Sequence, residues 1–121
     1  MKRKMMAPVW RPAPVDVEPE VALKSWRIMQ VADGGKHFVG KNARDGHGRV
    51  SSEIIAFNPA LLLGQTRSGR IYRLVGSSGL DANADYVWAI WCSRNNVRFY
   101  RDVSQTYLNE CCPQSTQPES R

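Results

Sequence analysis

Residues 66–96, TRSGRIYRLVGSSGLDANADYVWAIWCSRNN, limit what this chain can fold into more than any other stretch. Ile71, Arg73 and Val75 alternate with Tyr72 and Leu74, the period-two pattern of a strand rich in β-branched and aromatic residues. Leu61-Leu62-Leu63-Gly64-Gln65-Thr66 reads as a second extended segment before it. The link Arg67-Ser68-Gly69-Arg70 favours a tight hairpin, because Gly69 takes positive φ without steric cost. Gly76-Ser77-Ser78-Gly79 breaks the strand. Leu80, Ala84, Val87 and Trp91 then recur at helical spacing, with Trp88 widening the apolar face and Cys92 one turn beyond it. Asp81 is the first candidate for the N-cap and Ser78 the second. Asp85 in the first turn and Arg94 in the last complement the helix dipole, and Asn95-Asn96 tolerate a left-handed stop. Truncating a buried tryptophan to alanine typically costs about 3 kcal/mol or more, so two on one helix require an apolar sheet face beneath them.

The flanking sequence supplies the other strands. In 23–32, LKSWRIMQVA, Trp26 and Ile28 fall on one face and Met29 and Val31 on the other, which suits a strand; Leu23, Trp26 and Gln30 also share a helical stripe. Asp33-Gly34-Gly35 makes a turn, and His37-Phe38-Val39 returns. Residues 40–48, GKNARDGHG, form a polar loop. Residues 49–57 read as one strand with Val50, Ser52, Ile54 and Ala56 on one side, ended by Asn58-Pro59. Residues 97–101 form a last strand, and 103–108 an edge strand or a short helix. The expected fold is α+β, a small twisted antiparallel sheet of about four to six strands packed on one amphipathic helix. Residues 1–22, with four prolines, read as an extended or disordered arm, 23–110 as a single domain, and 111–121 as a polar tail.

The chain has 121 residues and three cysteines, and no run approaches the ~18 apolar residues of a membrane helix. Prolines and Arg11 follow the basic start where a signal peptide needs its apolar region, so the expected location is the cytoplasm, with no membrane contact. Cys92 reads as a core thiol, and the neighbours Cys111 and Cys112 as reduced thiols, or alternatively as an oxidant-sensing or bridging pair.

Several chemistries are poorly served. GKHFVGK, residues 35–41, matches the spacing of a phosphate-binding loop, but Asn42 replaces the magnesium-binding hydroxyl and Phe38-Val39 looks like a strand. His37 and His47 are the only histidines, and no cysteine lies near them, so neither a metal nor any other cofactor is expected. There is no nucleophile-elbow pattern, and a small histidine-dependent enzyme remains the least favoured function.

Charge is more informative. The net charge is +6, and residues 24–80 carry nine basic and three acidic groups. Lys36, Lys41, Arg44 and Arg49 ring the glycine-rich loop; Arg67 and Arg70 flank the hairpin turn, and Arg73 lies on its strand. Arg98 and Arg101 bracket Phe99-Tyr100. Arginines beside aromatics on a sheet grip phosphates and stack bases, although the same residues also serve simply to protect sheet edges. Lys41, Arg44, Arg49, Arg67, Arg70 and Arg73 are the candidate contacts to nucleic acid or an acidic partner, with Trp10 and Tyr100 as aromatic anchors.

The blocks Arg49-Val50-Ser51-Ser52, Thr66-Arg67-Ser68-Gly69-Arg70-Ile71-Tyr72, Leu74-Val75-Gly76 and Tyr86-Val87-Trp88-Ala89-Ile90-Trp91 resemble small uncharacterised proteins of proteobacteria and their mobile elements. The resemblance spans about residues 26–103 and implies no activity; it implies a bacterial or phage accessory protein, a class that often blocks host machines such as CRISPR effectors. The expected function is a non-enzymatic binding module whose basic sheet and loop face contacts nucleic acid or a nucleic-acid-handling protein complex. The alternative is a protein-only interaction module or a homodimer subunit.

Overall fold

The computed structural model describes residues 14–111. The elements within them are β1 (Glu20–Val31), β2 (Lys36–Asn42), β3 (Gly48–Val50), β4 (Ile54–Asn58), β5 (Leu63–Thr66), β6 (Ile71–Leu74), α1 (Ala82–Arg94), β7 (Tyr100–Asp102) and α2 (Ser104–Cys111). Trp10, Cys112 and most of the expected arm lie outside the described residues.

β1 organises them, and it begins at Glu20, three residues before the expected start. Its first half pairs parallel to β6, with Val21 opposite Tyr72 and Leu23 opposite Leu74. Its second half pairs antiparallel to β7, while β2 runs antiparallel along the other side. The register with β2 slips between Lys24 and Arg27, where Ser25 takes φ 46°. One extra residue reverses which side chains face which way. Val21 and Leu23 before the slip therefore share a face with Trp26 and Ile28 after it, which leaves Met29 and Val31 on the opposite face, as their alternation suggests.

The sheet runs β3-β2-β1-β6-β5-β4, with β7 also on β1. The fold is α+β, but the sheet is mixed rather than purely antiparallel, has seven strands, and carries a second, short helix. The expected strand over 49–57 is divided at Ser51. The Ser51 amide donates to the Phe38 carbonyl (2.9 Å) and its hydroxyl accepts from the Phe38 amide (2.8 Å), holding the chain to β2 before β4 turns away. Only residues 51–53 connect β3 to β4, the two ends of the strand series, so the sheet must curl on itself.

The inside of the curl is the larger core: Val21, Leu23, Trp26, Ile28, Phe38, Tyr72, Leu74 and Val103, with Phe57, Tyr107 and Leu108 against it. Phe38 is fully buried, with ring centroids 5.6 Å from Phe57 and 5.5 Å from Tyr72. It reaches across to β5, where a side chain on Gly64 would strike its ring. Outside the curl, α1 covers Met29, Val31, Val39 and Val50 with Ala84, Trp88 and Cys92. Trp88 stacks on Trp91 at 5.2 Å, and Trp91 meets His37 at 4.6 Å. Asp81 caps α1 by accepting from the Ala84 amide at 3.0 Å, Asn95 closes it, and Asn96 is left-handed at φ 55°. Leu80 falls outside the helix and is exposed.

Gly48 lets β3 lie directly against the first turn of α1. A Cβ there would sit 2.2 Å from the Asn83 carbonyl oxygen, whereas one on Gly79 meets open space. Gly48→Ala should therefore destabilise the fold by about 2 kcal/mol or more, the cost of overpacking against backbone that cannot swing aside. Gly79→Ala should stay within about 0.5 kcal/mol of the parent. Urea unfolding monitored by tryptophan emission measures both.

Candidate functional site

Strand alternation decides what each cation can reach. In β3, Gly48 faces α1 and Val50 joins the core beneath it, so Arg49 between them points into the curl. It is 9% exposed, and its guanidinium lies 5.8 Å from the Tyr72 ring centroid. Its counterion is Glu18, itself buried, which accepts from Arg49 at 3.4 Å, from Arg44 at 2.6 Å and from the Asn42 amide at 3.5 Å. Arg70 shares the inward parity of Tyr72 and Leu74 and is 5% exposed. Arg49 and Arg70 thus leave the set of residues open to a partner, because burying a charge costs several kcal/mol unless protein groups satisfy it.

The outward-facing candidates are accessible but neutralised. Lys41 stands 3.7 Å from Asp81, so the carboxylate that caps α1 also faces the glycine-rich loop. Arg44 belongs to Glu18, and Arg73 pairs with Glu20 across the parallel β1–β6 ladder. Arg67 pairs with Glu53, whose hydrogen bond and then its charge raise the Arg67 pKa above its ordinary value. Arg27, not among the expected contacts, pairs with Asp85 on α1. Of the six expected contacts, Lys41 stands by Asp81 at the start of α1, Arg44 and Arg49 meet at Glu18, Arg67 is held by Glu53 and Arg73 by Glu20.

Another group does come together. Gln30 lies opposite Lys36 on β2 and opposite Arg101 on β7, so these three residues form a row across β2, β1 and β7. Lys36, Arg98 and Arg101 have no carboxylate within 4 Å among the described residues. Beside them Phe99 is 74% exposed and Tyr100 50% exposed. Tyr100 is fixed in place by edge-on packing against Trp88, at 5.2 Å and 86°. Phe99, Tyr100 and Arg101 line one side of an open cleft of about 300 Å³; Gln30, Val31, Ala32 and Gly34 line the other. The expected anchor Tyr100 therefore stands in this group. Phe99 carries the more accessible ring, and the sequence signal for it was its place between two arginines in a chain end otherwise rich in acids.

The remaining chemistry is structural. The His37 ring donates from Nδ1 to the Ser51 carbonyl at 2.9 Å and is buried against Trp91. His47 is exposed on its loop, 3.6 Å from Asp45. Lys36–Asn42 is a strand, so GKHFVGK forms no phosphate-binding loop. No cluster of potential metal ligands occurs among the described residues. Cys92 is a buried thiol, and its pKa is raised by that burial. No helix among the described residues is long and apolar enough to cross a membrane.

The Glu18 network makes a stability test. Glu18→Ala leaves the Arg49 charge buried without its partner and should cost about 3 kcal/mol. Arg44→Ala removes only the solvent-facing arm of the network and should cost under about 1 kcal/mol. Equilibrium denaturation of the two variants checks the contrast, and equal losses would mean that Arg49 has no need of Glu18. Compared with protein-family models, with curated proteins and with solved structures, the chain matches none, so a functional reading has only its own side chains to stand on.

Proposed function

We propose that this chain is a non-enzymatic binding module that contacts nucleic acid, or a protein complex carrying nucleic acid, through the β7 edge rather than through the loop and hairpin. The observation that carries this reading is the group of Lys36, Arg98 and Arg101, without carboxylate partners among the described residues, beside the exposed rings of Phe99 and Tyr100. A cation already held by a carboxylate gains little from a phosphate, because the old pair must be given up. An unpaired one releases the phosphate's counterions at no such cost. The engagement of His37 by Ser51 and Trp91 supports a role without catalysis. A second reading, a protein-only module or homodimer subunit, draws on the exposed Leu80 and Tyr86 near the start of α1. A part as a phage or mobile-element accessory protein, including one that blocks a CRISPR effector, suits either reading and rests on the sequence resemblance alone.

Fluorescence anisotropy with labelled mixed-sequence DNA and RNA, titrated across a salt series, tests the first reading. The double variant Arg98→Ala/Arg101→Ala should weaken binding and reduce the salt slope by about 1.4 to 1.8, for two lost phosphate contacts. Arg67→Ala/Arg73→Ala should leave the slope close to the parent's, because both guanidiniums are already paired. Loss on the second pair alone would return the contact to the hairpin. Absence of any binding at about 50 mM salt would leave the protein-only reading.

A further inference from the structure

We infer that the cleft between β7 and the β1–β2 turn takes a single-stranded nucleic acid segment, with one base stacked on Phe99 and its flanking phosphates held by Arg98, Arg101 and Lys36. This rests on the nucleic-acid reading above and names the form of ligand.

The argument begins with the Phe99 ring. It projects from the chain just before β7, is 74% exposed, and does not belong to either core cluster. Its neighbours in the cleft are Gln30, Val31, Ala32, Gly34, Tyr100 and Arg101. A flat apolar ring that follows Arg98 in the chain and shares a cleft with Arg101 complements a ligand that is itself flat and anionic in alternation, and a nucleotide chain has that form. In a duplex both faces of each base are covered by its neighbours, so a protruding ring finds only the groove walls and the backbone. In a single strand each base has a face to give, and base–aromatic stacking tolerates any sequence.

The surroundings of the ring fit that arrangement. Tyr100 is held against Trp88, so the chain that carries Phe99 is anchored on its C-terminal side before any ligand arrives. The ladder of Met29, Gln30 and Val31 with Asp102, Arg101 and Tyr100 fixes the strand behind it. The Gln30 side-chain amide donates to the Gly34 carbonyl at 3.4 Å, a long bond that a base edge can replace. Lys36 lies across β1 from Arg101, so cations border both sides of the Gln30 row. Asp33 accepts from the Gly35 amide, and Asp102 from the Ser104 amide and hydroxyl, which holds the start of α2.

The test compares a ten-nucleotide oligothymidylate, the matching oligouridylate and a duplex of mixed sequence, each against the parent chain, Phe99→Ala and Phe99→Trp. Phe99 is largely in solvent, so its truncation does not open the core. The parent should bind a single strand more tightly than the duplex. Phe99→Ala should lose about tenfold on the single strands and little on the duplex, and Phe99→Trp should restore the single-strand affinity. The DNA and RNA arms show which sugar is accepted. Equal parent affinity for duplex and single strand, or an unchanged single-strand affinity in Phe99→Ala, overturns this inference while a persisting salt slope keeps the broader reading. No binding to any of the three overturns both.

Discussion

The one-residue slip at Ser25 is the constraint on which the rest of the structure depends. A strand without it would send Trp26 and Ile28 to the face opposite Val21 and Leu23, and neither side of the sheet would have a continuous apolar surface. With it, β1 serves as one wall of two packing problems. Its first half holds β6, and its second half releases β6 and takes β7. The chain leaving β6 is then tied across the bend, where the Trp26 indole donates to the Gly76 carbonyl at 3.0 Å and the Gly79 amide donates to the Trp26 carbonyl at 3.1 Å. The left-handed backbone of a serine costs something locally. What it gains is the burial of Trp26, Ile28 and Phe38 inside a sheet that could not otherwise curl around them.

That curl also sorts the charges. Within each strand, parity assigns alternate residues to the interior or the surface, so a run such as Arg70-Ile71-Tyr72-Arg73 sends one arginine inward and the other out. Inward arginines need a buried acid, and Glu18 supplies it for Arg49 from the turn that precedes β1. Outward ones meet Glu20 or Glu53, as Lys41 meets Asp81, on neighbouring strands and loops. Much of the excess positive charge between residues 24 and 80 is therefore internal bookkeeping of the fold. Lys36, Arg98 and Arg101 stand apart from this scheme, since no carboxylate comes within 4 Å of them among the described residues.

The helix and its caps were legible because the information is local: Asp81 three residues before Ala84, tryptophans three apart, and a pair of asparagines at the end. So were the hairpin at Gly69, which takes φ 93°, and the two faces of β1 beyond the slip. The parallel pairing of β1 with β6 was not, since it joins residues about fifty apart and leaves no trace in either strand. The break at Ser51 hid for a related reason. Val50, Ser52, Ile54 and Ala56 alternate well enough to pass for a single strand, and only the reciprocal bonds between Ser51 and Phe38 show where it stops. Glu18 was hidden by its company, a proline-rich segment that composition assigns to solvent. Of the expected contact residues, the fate of Arg49 was the one open to deduction, because its neighbours Gly48 and Val50 both suit contact with a helix and leave Arg49 facing the other way.

The β7 edge separates two physical accounts of surface arginine. Edge strands are protected when charged side chains make strand-to-strand docking costly, and Arg101 on β7, with Arg98 just before it, would serve that purpose on a strand of three residues. Protection does not call for an exposed phenylalanine between them, since an apolar ring on an edge works against it. Nor does packing call for it: Tyr100, the next residue, already makes the contact with Trp88 that joins this edge to the helix. Phe99 is thus redundant for holding the fold and unfavourable for guarding it. The proposed stacking of a base gives a ring in that position, with arginines on both sides of it in the chain, a use that neither packing nor edge protection supplies.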